Sequence, residues 1–218
     1  IYDIAFSPEI IEEKMKQYQF YFSWNKNIGK GTNLKLGLTY MSETLDWYDS
    51  QTTTSGSGNS PTQTLIYDGK FSNFSSYLSF TKAIKNIDFT LASSFSRINS
   101  NTLIQPSISI NYFPLGNASL STKTDVFYQH NFTNKNNKNV VFKQSINSSI
   151  SPNISVNIFG LFGEINNFVD DAGMSIYNNL DALDYWYGAS ANYLFNNHVQ
   201  LYLILRNDGL INQYTQDD

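Results

Sequence analysis

Cysteine is absent from all 218 residues, and histidine occurs only twice. Without cysteine there is no disulfide framework, thiolate metal site or thiol nucleophile. Charge is scarce too: Asp, Glu, Lys and Arg make up 15% of the chain, against roughly 25% in ordinary soluble domains. The net charge of −4, with no Lys/Arg clusters over aromatic residues, argues against nucleic acid as a partner. No apolar run approaches the roughly 18 residues of a transmembrane helix, and the longest clean one is Leu201 to Leu205.

Aromatic residues are abundant, at 16% of the chain, with fifteen Tyr and sixteen Phe. The mean hydropathy is nevertheless −0.33, because Asn, Ser, Thr and Gln take the place of the missing charge. These polar residues are interleaved with the apolar ones. Tyr18, Phe20, Phe22 and Trp24 alternate with Gln17, Gln19, Ser23 and Asn25, and Val199, Leu201, Leu203 and Leu205 face away from Gln200 and Arg206. A period of two marks extended strands with one apolar and one wet face. Ten such stretches are expected, over about 17–26, 33–48, 65–82, 87–98, 104–113, 118–133, 139–150, 154–166, 184–195 and 199–208. At roughly 3 Å per residue, about ten tilted residues cross a bilayer. The expected fold is therefore all-β, a single antiparallel up-and-down transmembrane β-barrel domain spanning residues 1–218. A soluble sandwich also alternates. Its strands, however, average about five or six residues, and its edges carry Lys/Glu cover that is missing here.

Turn residues punctuate the links after the odd-numbered strands, as in Pro114 to Asn117 and Ser151-Pro152-Asn153. The longest links, 49–64 and 167–183, follow even-numbered strands. Barrels of this kind keep short turns periplasmic and long loops extracellular. Under that rule both ends of the chain fall on the outer side, so the ten strands are expected to be the middle of a barrel of twelve or more. A short helix is expected over 8–16, where Ser7 can cap, Pro8 suits the first position, and Glu9, Glu12 and Glu13 favour a helix N-terminus.

The alternation sorts side chains by face. Leu36, Leu38, Ile108, Ile110, Val156 and Ile158 are expected to face lipid, and Lys35, Thr39, Ser107, Ser109, Lys123, Asp125 and Lys143 the lumen. Tyr18, Trp24, Tyr128, Trp186 and Tyr193 sit toward strand ends as an expected aromatic girdle. Small uncharged groups on the lumen side leave room for water, and strong ion selectivity would need rings of like charge.

The stretch Asn178-Asn179-Leu180-Asp181 through Tyr187-Gly188 and Tyr193-Leu194-Phe195-Asn196, then Leu201-Tyr202-Leu203, resembles outer-membrane β-barrel proteins of the Bacteroidota. The resemblance implies location and fold, not an activity.

Residues suited to catalysis are few. His198 falls in a turn. His130 and Asp125 could suggest a hydrolase site at the rim, but residues five apart on a strand project to opposite faces. Glu164, Asp170, Asp171, Asp181 and Asp184 could offer oxygens to Ca²⁺, yet without EF-hand spacing. The expectation is a protein that is not an enzyme and holds no cofactor and no metal. It would be a porin-like channel for small polar solutes. The alternative is a non-conducting structural or accessory subunit of an outer-membrane secretion, assembly or uptake complex. Its partners would be outer-membrane lipid, lipopolysaccharide and other outer-membrane proteins.

Overall fold

A computed structural model describes residues 11–51, 62–133, 138–177, 182–196 and 199–211. The strands are β1 (Ile11–Gly29), β2 (Thr32–Gln51), β3 (Thr62–Ile84), β4 (Ile87–Ile98), β5 (Asn101–Tyr112), β6 (Leu120–Asn131), β7 (Lys138–Ser151), β8 (Ile154–Ile165), β9 (Phe168–Asp170), β10 (Ser175–Tyr177), β11 (Ala182–Asn196) and β12 (Val199–Ile211). Ten of them form one sheet in the order β1-β2-β3-β4-β5-β6-β7-β8-β11-β12, while β9 and β10 pair only with each other. The all-β, antiparallel up-and-down arrangement expected from the alternation is what the structure has. β1 and β12 are the edges of the sheet and do not pair with one another.

The chain divides into two compact units. Ile1–Phe20 with Tyr40–Asn73 forms the first, where the Gln17 amide donates to the Met41 thioether at 2.9 Å. Tyr21–Thr39 with Phe74–Asp218 forms the second, which carries the loop and its contacts described below.

Two expectations fail in the backbone. The helix placed over 8–16 is absent from its described part, because residues 11–16 already belong to β1. A nine-residue helix is marginal on its own, whereas extension of β1 beside β2 satisfies one backbone group after another. The regular alternation of short and long links also breaks. β4 and β5 are joined by Asn99 and Ser100 alone, both in the left-handed region (φ 48° and 65°), between the paired Ile98 and Asn101. That is the two-residue hairpin geometry whose twist matches the flanking strands. The β5–β6 link, Phe113 to Ser119, is longer. Of the long link 49–64, residues 52–61 lie outside the described residues.

The sheet is inverted relative to a soluble one. On β5, Gln105, Ser107 and Ser109 are buried while the intervening Ile108 is 58% exposed. The register pairs Leu91 with Ile108 and Phe89 with Ile110, so apolar residues line up with apolar ones across the ladder. Ser94, Ser96, Ser121, Asp125 and Gln129 are also buried, while Leu78, Phe89, Val126, Ile146 and Ile158 are exposed. Buried polar groups and an extended exposed apolar face are the informative departures from ordinary burial.

Candidate functional site: an inward-folded loop on the polar face

The link between β8 and β11 does not project away from the sheet. Asn167, in the left-handed region at φ 51°, turns the chain back, and β9 and β10 lie against the polar face. Asparagine tolerates that conformation because its short side chain bonds locally. All three residues of β9 are buried. Phe168 meets Phe127 edge-on at 5.1 Å within a cluster containing Val141, Leu161, Ile165, Leu183 and Trp186. Val169 packs with Ile98 and Leu103. Burying one such side chain contributes about 1.5–3 kcal/mol.

Polar groups of the sheet hold the loop backbone. The Gln105 amide donates to the Val169 carbonyl at 2.7 Å, and the Val169 N–H donates to Gln105 Oε1 at 3.2 Å. One side chain thus replaces a missing strand partner for an otherwise stranded peptide group. Gln129 donates to the carbonyls of Asn166 and Asn167 at 3.2 and 2.9 Å. Thr39 donates to the Gly173 carbonyl. The Lys143 ammonium reaches Asp170 at 2.5 Å and Asp171 at 3.3 Å. Burial pushes the Asp170 carboxyl up, and Lys143 opposes that shift. Burial, and then the nearby Asp170 charge, push the Tyr177 phenol up to about 12, so it stays protonated near neutrality.

The fit is closest at Gly37 on β2, where a Cβ would collide with the Ala172 carbonyl oxygen. Gly37→Val is therefore expected to lift the loop at a cost of about 1–3 kcal/mol, as overpacking does. Amide hydrogen exchange across 168–177 would register this as lost protection. Unchanged protection would mean that this contact does not seat the loop.

Lys35, Thr39, Ser107, Ser109, Lys123, Asp125 and Lys143 share this polar face: Thr39 lies under the loop, and the others border a cavity beside it. Ser109 donates to Asp125, which also pairs with Lys123 at 2.8 Å. Ile108, Ile110 and Ile158 are exposed on the other face, and Leu36, Leu38 and Val156 are partly buried. Tyr18, Trp24, Tyr128 and Tyr193 are exposed. Trp186, whose place near a strand end suggests the girdle, is 6% exposed and packs edge-on against Phe159 at 5.1 Å, beneath the Arg206 guanidinium at 5.0 Å. A register shift between Leu183 and Tyr185 puts both Leu183 and Trp186 on the loop side, where Phe168 of β9 and Tyr177 of β10 give Trp186 a surface to pack on.

His130 and Asp125 are not brought together, since Asp125 is on the loop side and His130 stacks edge-on with Phe132 at 4.9 Å. Asp181 and His198 lie outside the described residues. Among the described residues no group of three or more His, Asp or Glu is placed to hold a metal. Sequence reasoning missed Gln105, Gln129 and Gly37. The available signal was Phe168-Val169 and Ile176-Tyr177, apolar pairs inside a link expected to be solvated. No family model matches the chain, and no curated protein resembles it closely enough to count as a relative.

Proposed function

We propose that this chain forms the wall of an outer-membrane β-barrel, a porin-like channel for small polar solutes narrowed by the loop 166–177. The observation that carries this reading is the inversion of the sheet, with serine, glutamine and aspartate buried and isoleucine, leucine and phenylalanine exposed. An apolar face of that extent has a natural counterpart in outer-membrane lipid and the acyl chains of lipopolysaccharide. Open sheet edges cannot sit in hydrocarbon, because each unpaired backbone group costs several kcal/mol there. The edges of β1 and β12 are therefore closed in the membrane, either on each other or by further strands in a barrel of twelve or more. The long links would be extracellular and the short turns periplasmic, as in Gram-negative outer membranes, including those of the Bacteroidota.

Reconstitution into planar bilayers tests the reading. We expect steps of conductance with weak cation/anion preference, because cationic and acidic groups both border the passage. The second reading, a sealed accessory subunit of a larger outer-membrane assembly, draws on the apolar packing of the loop around Phe168. A protein that inserts, stays folded and copurifies with other outer-membrane proteins but never conducts would favour it.

A further inference from the structure

Two cavities of about 450 Å³ each flank the inward loop. That volume lies toward the lower end of the range that holds small-molecule ligands. Lys123, Asp125, Lys143 and Asp171 border both, and the first cavity also has Lys35 from β2 and Ser94 from β4 on its walls.

The charges around the first cavity differ in how far they are satisfied. Asp125 is buried and held by both Ser109 and Lys123, and Asp170 is buried against Lys143. Three groups keep room for a further partner, although Lys123 is paired with Asp125 and Asp171 is paired with Lys143 and accepts from the Ser175 hydroxyl. Lys35 has no ion pair among the described residues. Lys123 keeps 44% of its side chain exposed and Asp171 keeps 49%. The sheet therefore offers two ammonium groups and the loop offers one carboxylate, all bordering one cavity. Uncharged hydrogen-bonding groups also line the cavity, including the buried Ser94 hydroxyl, which has no partner among the described residues. A purely anionic solute would meet the Asp171 carboxylate, and a purely cationic one the two lysines. Like-charge juxtaposition of that kind selects against wrong partners. A solute with a carboxylate at one end and an ammonium at the other satisfies both walls.

We propose that this cavity is a binding site for small zwitterions of the amino-acid and short-peptide class, with the solute carboxylate on Lys35 and Lys123 and its ammonium on Asp171. The proposal deepens the channel reading, since it names the solute that the narrowed passage would take. Its test does not depend on conduction. Calorimetry on the whole protein in detergent, with triglycine as probe, should give saturable binding near neutral pH. N-acetyl-triglycine, which lacks the ammonium, and triglycinamide, which lacks the carboxylate, should each bind about tenfold more weakly, the size of one lost charge-assisted contact. Lys35→Met should reduce the discrimination against triglycinamide, since Lys123 remains, and Asp171→Asn should remove the discrimination against N-acetyl-triglycine, with Lys35→Arg as a near-neutral control. Circular dichroism would establish that each variant is folded. Absent triglycine binding, or equal binding of all three probes, overturns the site even if the protein conducts. Triglycine binding by a barrel that never conducts keeps the site and removes the channel.

Discussion

Arginine in place of Ile108 is expected to destabilise the protein in bilayers by about 2–4 kcal/mol, the cost of a guanidinium on the lipid face near the midplane. Ile108 lies in the middle of β5 and is 58% exposed. At an equally exposed position of a water-soluble sheet the same change would fall within about 0.5 kcal/mol. The experiment therefore separates a lipid-facing surface from a merely solvent-facing one. Denaturant titration in lipid vesicles would measure it, with Asn147→Arg as the comparison. Asn147 is exposed on the polar face, paired across to Ser121 and Asn157, and should change stability by only about 0.5 kcal/mol or less. Thr39 would be a poor comparison, although alternation alone suggests it would tolerate the change. It is buried and donates to the Gly173 carbonyl, so any larger side chain there must first displace the loop. Equal costs at Ile108 and Asn147 would remove the case for a lipid-facing surface.

Lys143→Met is expected to cost about 3–5 kcal/mol of loop attachment, because it leaves the Asp170 carboxylate buried without its partner. Asp170 is 5% exposed, and Lys143 at 2.5 Å is its ion-pair partner among the described residues. Asp171 sits at 3.3 Å from the same ammonium, so the single lysine holds two adjacent loop residues. Adding Asp170→Asn to Lys143→Met should recover most of the loss, since the charge that suffered is gone. The interaction energy from that double-mutant cycle, read by hydrogen exchange over 168–177, isolates the pair. In planar bilayers the single variant should conduct more than the parent, and the double variant should return toward it. Full loop protection in Lys143→Met would show that apolar packing of Phe168 and Val169 holds the loop without the ion pair.

Features that depend on near neighbours were legible along the chain. The pairing of Leu91 with Ile108 and of Val126 with Phe142 follows from a period-two pattern, which each strand carries within its own ten or so residues. The same pattern placed Ser107, Ser109, Lys123, Asp125 and Lys143 on one face. It also separated His130 from Asp125. Local signals misled where a neighbouring strand outweighed them. Ser7-Pro8 and the glutamates after it read as a helix start, yet residues 11–16 extend β1 because β2 lies alongside to take their hydrogen bonds. The tertiary structure alone decided the position of the loop. Its anchors are remote in sequence: Thr39 reaches Gly173 across 134 residues, Tyr21 reaches Ala172 across 151, and Gln105 reaches Val169 across 64. Nothing within the segment from Asn166 to Tyr177 specifies a partner at Gly37, and nothing near Gly37 announces that its missing Cβ leaves room for a carbonyl. Trp186 moved from the expected girdle to the loop side for the same reason. A tryptophan near a strand end suits a membrane interface or a packed interior equally well, and the deciding surface, formed by Phe159, Arg206 and Tyr177, exists only once β8, β10 and β12 are in place.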